Sequence, residues 1–375
     1  IRDQALSPAV WAPHRLCFAD PAGALAPEAR WFLSRATAST NIVAELIAGP
    51  ADPMDGVLRS GFPAGTVLAS DAVPIVEGNA RIDLSGEVEN ADAADRELMS
   101  AQLAASLRSV RGVTGFSISV DQTPGFAEGS VAAQPVSGVP KSKFSAVIMG
   151  EEGFGFLSSA GFEPLEGVGA AIADLDPSAV TLSQDEPPLA AVLEHGHVTV
   201  FGAGGPVPVD DRPGLLAPSI DRYEYVWVSS SVTPTTVSAT RIGRDPVSIA
   251  IPWLEGLSLR ALRVSPDGSR IAALVAEGDS SGVLVGGIMR DREGRPIAVT
   301  GTAVVSMFLP GAALDLDWMD ETRFVTLTEV GSVARVTIGG PGLFPTEAGS
   351  VAEGVSIAGT GSRSQLRVLD EDGAL

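Results

Sequence analysis

The chain is poor in the residues that carry most protein chemistry: of 375 residues only one is cysteine and three are histidine. The lone Cys17 excludes an internal disulfide and leaves the redox compartment unread. It alternates with Leu16 and Phe18 in a predicted strand, the setting of an inert structural thiol rather than a reactive one. Aromatic residues make up 5% of the chain, and lysine occurs only at Lys141 and Lys143. No run approaches the ~18 apolar residues of a membrane helix, and no signal peptide is evident. The chain starts at Ile1 and reads as trimmed, so any targeting signal or anchor could have been removed with the missing segment. The formal charge is −21, with a pI near 4.4. That balance argues against nucleic acid and against electrostatic adhesion to an anionic membrane, and it suits a soluble acidic surface.

What the chain does have is a repeat. Asp185, Asp221, Asp267 and Asp320 are each followed four residues later by an apolar run, beginning at Leu189, Tyr225, Ile271 and Phe324. Ser183, Ser219 and Ser265 stand two residues before the first three, and Trp318 takes that place in the fourth. The spacings of 36, 46 and 53 residues lie near the ~40 to 50 residue period of a propeller blade. Aspartate and glycine accept the backbone angles of tight turns, as in Ser265-Pro266-Asp267-Gly268, so each copy reads as strands joined by turns, four per copy. A fifth, shorter copy runs from Val351 through a Gly359-Thr360-Gly361 turn to Leu369. A sixth lies upstream, where Phe144 to Ile148 aligns with Leu189 to Leu193 and the first strand is lacking. The reading is an all-β propeller of about six blades over residues 144–375, its closing strand expected beyond Leu375. A non-closing β-sandwich is the competing architecture.

Residues 12–121 mix helix and strand. Strands are predicted over Arg15 to Ala19 and Ala29 to Leu33, and a helix over Asn41 to Ala48, capped by Ser39 or Thr40 and stopped by Gly49-Pro50. A hairpin is predicted from Val67 to Ile75 and Ala80 to Leu84. A second helix follows from Asp92 to about Val110, with Met99, Leu103, Leu107 and Val110 on its core face, then a strand from Val113 to Val120. The Pro, Gly, Ser and Ala content of residues 122–143 predicts a flexible linker between two domains.

Candidate chemistry is sparse. Gly278-Asp279-Ser280-Ser281-Gly282 matches a nucleophile elbow, but that motif needs a strand feeding a helix, and no histidine follows Ser280. His195-Gly196-His197 could present two imidazoles to a metal, yet no third ligand lies near, and an exposed blade turn fits better. Asp315 and Asp317 flank Leu316 on a strand predicted to line the central channel, where they form either a binding pair or a solvated edge. No catalytic, cofactor or metal residue is assigned.

Val43 to Pro50, Pro63-Ala64-Gly65-Thr66, Ala80-Arg81-Ile82-Asp83-Leu84-Ser85, and Gln102-Leu103 with Leu107 together resemble a GerMN domain. A GerMN-like α+β domain followed by a propeller is similar to the LpqB family of actinobacterial lipoproteins, over roughly residues 12–375. The abundance of Ala, Gly and Arg agrees with the GC-rich coding of such a source. The resemblance implies a non-enzymatic lipoprotein, lipid-anchored at the extracytoplasmic face of the cell membrane. It would contact the sensor region of an MtrB-like histidine kinase and modulate its signalling. The family's lipobox cysteine does not occur in these residues. A module binding cell-wall fragments or small ligands, in the channel or the GerMN groove, is the alternative, and a propeller hydrolase a weaker one.

Overall fold

A computed structural model describes residues 10–33, 37–131, 146–150, 153–158, 161–359 and 361–373. The chain divides into two units, Ile1–Gly138 and Val139–Leu375. In the first, β1 (Trp11–Ala19) and β2 (Leu25–Leu33) form an antiparallel hairpin. After α1 (Ala38–Ala48) come β3 (Ile75–Val76), β4 (Asn79–Leu84), α2 (Ala93–Leu107), β5 (Gly115–Val120) and β6 (Thr123–Ser130). The sheet order is β3-β4-β5-β6, and β4 and β5 run parallel. A parallel pair needs a long crossover, which α2 supplies. Asp92 caps α2 by accepting the Asp95 N–H at 2.8 Å. Its core face buries Met99, Leu103 and Leu107 as the 3.6-residue period requires, with Val110 buried just beyond its end. Gln102 is wholly buried on the same face and survives there because both ends of its amide are bonded. Its Nε2 donates to the Cys17 carbonyl at 2.9 Å, and its Oε1 accepts from Gly61 N at 2.7 Å.

Local signals failed in four places here. Ser39 and Thr40 do not cap α1, which begins at Ala38: Ser39 Oγ donates to the Val73 carbonyl, and Thr40 Oγ1 accepts the Val73 N–H. Both hydroxyls thus serve a tertiary contact. The strand predicted over Val67 to Ile75 is reduced to β3 plus an isolated bridge between Leu68 and Leu84, Pro74 supplying no N–H to a ladder. The strand predicted from Val113 opens at Gly115. The segment predicted as linker is structured over its first part, because Thr123–Ser130 pairs with β5 as an edge strand. An edge tolerates Pro124 and Gly125, which a central strand would not. Arg96 lies 4.9 Å from the Phe126 ring and holds that edge down. The rest of that segment, 132–143, lies outside the described residues.

The second unit is a series of antiparallel sheets. The first holds β7 (Ala146–Gly150), β8 (Gly153–Ser158) and β9 (Gly161–Pro164), followed by the short α3 (Val168–Ala173). The next is β10 (Ala179–Leu182), β11 (Ala190–Glu194), β12 (His197–Gly202) and β13 (Gly205–Asp210). A third comprises β14 (Ser219–Ile220), β15 (Val226–Val228), β16 (Thr236–Thr240) and β17 (Val247–Ala250). The fourth has β18 (Ser258–Val264), β19 (Arg270–Glu277), β20 (Ser280–Arg290), β21 (Pro296–Val299) and β22 (Val304–Pro310). The fifth is β23 (Ala312–Trp318), β24 (Phe324–Val330), β25 (Val333–Gly340) and β26 (Leu343–Ala352), and the sixth β27 (Gly354–Ala358) with β28 (Arg367–Asp370). Each is a blade. The first strand of blades two to six and β7 of blade one all line one cavity, so the blades surround a common axis. Among the described residues, separate clusters fill successive blade interfaces, one of them joining Trp227, Val237 and Ile249 of blade three to Leu262, Ile271 and Ile288 of blade four.

Blade four departs from the four-strand reading. Its long β20 pairs with β22 over Ser280 to Val285 and with β21 over Ile288 to Arg290, so the outer part of the blade forks. Val351 and Ala352, predicted to open the fifth copy, instead finish β26.

The repeated aspartates show their purpose in the turns after the first strands. Asp267 accepts from Ser265 Oγ, Ser269 N and Oγ, and Arg270 Nη1. Asp320 accepts from Thr322 and Arg323 in the same way. Asp221 takes the Tyr223 and Tyr225 N–H groups and Trp227 Nε1, and also receives Arg290 from blade four at 2.6 Å. The Arg290 and Asp221 side chains are 1% and 0% exposed. Arg290 spends its other donors on the Gly268 and Gly294 carbonyls and stacks 4.7 Å from Tyr223. Asp185 departs from the pattern: it is exposed, beside the cis peptide at Glu186-Pro187. Removing one member of a satisfied buried pair strands the other charge. Asp221→Ala is therefore expected to destabilise the propeller by about 3–5 kcal/mol, and Asp185→Ala by less than about 0.5 kcal/mol, both read from denaturant unfolding curves.

Candidate functional site

The strongest candidate site is the cavity on the propeller axis, about 1520 Å³ in volume. A blade's first strand has neighbours in its own sheet on one side only, so its inner edge must find other partners. Side chains supply them. Thr181 Oγ1 of blade two donates to the Pro218 carbonyl entering blade three at 2.8 Å, and Ser219 Oγ accepts the Val264 N–H of blade four at 3.0 Å. Arg263 reaches both ways, donating to the Ala217 carbonyl at 3.0 Å and to Asp315 of blade five at 3.2 Å. Asp315 Oδ2 then accepts the Ile357 N–H, and Asp317 Oδ2 the Gly359 N–H, both of blade six, at 3.0 and 2.7 Å. Trp318 Nε1 donates to the Arg263 carbonyl at 3.1 Å, its ring edge-on to Phe324. Together these contacts form a belt.

Asp315 and Asp317 therefore line the channel but are neither a solvated edge nor a free acid–base pair: both carboxylates are committed to the belt. Burial raises the Asp317 pKa to about 6, the nearby Asp315 charge adds to the rise, and Arg263 with the Gly359 and Trp318 N–H groups opposes it. The folded-state pKa thus lies above the ordinary 3.8, so protonation favours the native state. That stabilisation is complete below about pH 4 and is lost as the pH rises through about 6. Asparagine keeps the acceptor for Gly359 without the charge. The unfolding free energy of Asp317→Asn, relative to the parent, should accordingly rise by roughly 2–3 kcal/mol between pH 4 and pH 7. Parallel urea titrations across that range measure the difference, and a flat difference would refute the shift.

The remaining sequence candidates lie apart from the channel. Ser280 opens β20 after the hairpin turn at Gly278-Asp279, and its Oγ donates to the Glu277 carbonyl; no helix follows it. His195 and Gly196, both at positive φ, make the two-residue turn between β11 and β12, with the His195 side chain 76% exposed. Among the described residues no cluster of three or more His, Cys, Asp or Glu is arranged to hold a metal ion. Substituting Ser280, or His195 together with His197, by alanine should change stability by less than about 0.5 kcal/mol. The melting temperature checks this, and a large drop would reveal contacts these side chains are not seen to make.

A second, polar hollow of about 520 Å³ lies on the first unit, among Ser70, Asp71, Arg81, Asp83, Ser119 and Gln122. Ser119 Oγ, at 2.6 Å, and the Gln122 N–H hold the Asp83 carboxyl below its usual range.

Sequence reasoning missed Arg260, Arg263 and Arg290. One signal was available for the first two: arginines three apart in Leu259-Arg260-Ala261-Leu262-Arg263-Val264 break the two-residue alternation, as a bulge would. The Arg290 pairing gave none, since its partner lies 69 residues away.

Residues 154–375 match the family described as the lipoprotein LpqB beta-propeller domain, and residues 15–125 match the one described as sporulation and spore germination. Lipoprotein LpqB of Thermobifida fusca (strain YX) is 25% identical over 390 aligned residues, covering 84% of this chain and 58% of that protein. Lipoprotein LpqB of Streptomyces coelicolor is 26% identical over 335, covering 79% and 52%. The chain thus spans about half the length of the curated relatives it matches. Among solved structures, the tandem GerMN domains of the sporulation protein GerM from Bacillus subtilis are 14% identical, covering 49% of this chain and 62% of that one with a TM-score of 0.27. Hsv2p from Kluyveromyces lactis is also 14% identical, covering 58% and 71% with a TM-score of 0.34.

Proposed function

Because the chain belongs to the LpqB lipoprotein family, with a GerMN domain ahead of the LpqB propeller, we propose that it is a non-enzymatic accessory protein at the extracytoplasmic face of the cell membrane. There it contacts the sensor region of an MtrB-like histidine kinase and modulates signalling in cell-envelope and cell-division homeostasis. Family membership carries the reading. The inner belt supports the non-enzymatic part, since Asp315 and Asp317 are bound to the fold. Membrane attachment is through an N-terminal lipid anchor: no described helix is long and apolar enough to span a bilayer, and a charge of −21 is repelled by anionic lipid.

Two proteins held on one surface meet at a high effective concentration, so their intrinsic affinity can be weak. The chain and the purified kinase sensor domain are expected to associate weakly in free solution, and roughly a hundredfold more tightly when both are tethered to the same vesicles. Fluorescence energy transfer between labelled partners reads both states. Absence of association on the tethered surface would sink the kinase reading.

A further inference from the structure

Three inner strands carry the same irregularity. In β18, Leu259 faces Val275 and Ala261 faces Leu274, which leaves Arg260 as an extra residue with no partner across the ladder. Leu314 holds that place in β23, between Ala313 and Asp315, and Val355 holds it in β27, between Gly354 and Ser356. A bulge releases the extra residue from the ladder and re-aims its side chain. All three residues line the axial cavity, Leu314 with part of its side chain packed on the apolar cluster between blades five and six. The belt contacts advance together along neighbouring strands, Asp315 to Ile357 and then Asp317 to Gly359, so these strands run parallel. Each bulge lies near the N-terminal end of its strand, which gathers the three at one mouth of the channel, opposite the aspartate turns.

The mouth is chemically uneven. Arg263, deeper on the same strand, is clamped by Asp315 and two backbone carbonyls. Arg260 is exposed, and among the described residues no carboxylate pairs with it. On the next strands Leu314 is half-buried and Val355 is 40% exposed, so an apolar wall stands beside an open guanidinium. A guanidinium fork matches a planar carboxylate through two parallel hydrogen bonds. The further acidic residues lining the same cavity, Glu163, Glu166, Asp185 and Glu186, repel a doubly charged phosphate more than a singly charged anion.

We propose that this mouth binds a singly charged carboxylate bearing an apolar substituent, with Arg260 holding the carboxylate and Leu314 and Val355 the substituent. The proposal rests on the channel wall and not on the kinase reading, so each can fail alone. N-acetyl-leucine is the probe, titrated into the full chain by calorimetry or chemical-shift perturbation. Saturable binding is expected, weakened at least about tenfold by Arg260→Gln, the worth of one charge-assisted contact. N-acetyl-leucine amide should bind correspondingly worse, and inorganic phosphate should not compete. Unchanged affinity in the variant, an amide that binds as well as the acid, competition by phosphate, or no saturable binding of the acid below ~10 mM would each overturn the proposal. Should the variant fail to fold, the acid and amide compared on the parent chain decide the matter.

Discussion

Among the described residues every blade begins with a strand whose inner edge has no sheet partner, and the second unit is organised around meeting that constraint. Unpaired backbone N–H and C=O groups facing a shared cavity are a cost that grows with each blade. The fold answers with side chains that bridge from one inner strand to the next: Thr181, Ser219, Arg263, Asp315 and Asp317 each reach a neighbouring blade. Polar residues at the axis are thus part of the architecture. This is why Asp315 and Asp317 are engaged with the neighbouring blade, and why Asp317 tolerates a burial that raises its pKa.

The same economy of charge recurs one layer out, in the turns. Three aspartates organise the loops after the first strands, and Asp221 does so while also anchoring Arg290 of the following blade. Its carboxylate meets donors from three residues of its own blade and one of the next, as a buried charge requires. Asp185, at the same place in the repeat, is exposed and carries no comparable network among the described residues. Sequence repetition therefore marks a shared turn without guaranteeing a shared role.

Local turn chemistry made the propeller legible. Ser-Pro-Asp-Gly and its variants announce themselves within a few residues, and the spacing between copies reports the blade. What escaped was set at long range or by position in the sheet. The Asp221 to Arg290 pair, the fork of β20, and the Ser39 and Thr40 hydroxyls turned to Val73 depend on neighbours far along the chain. β6 was hidden for another reason: proline and glycine mean linker in most contexts, and only its place at an open edge makes them acceptable in a strand. At the axis the acids were noticed but the arginines were not, because the belt is a property of strands side by side.

The fork in blade four also bears on how load is carried. With β22 packed against β24 and β25 of blade five and β21 against β17 of blade three, one sheet braces both neighbours at once, like the king post of a truss. Trp253 Nε1 donates to the Thr300 carbonyl on the blade-three side, and Met307 fills the space over Gly339 on the other. Blades three, four and five are thereby joined through the outer strands as well as through the inner ones.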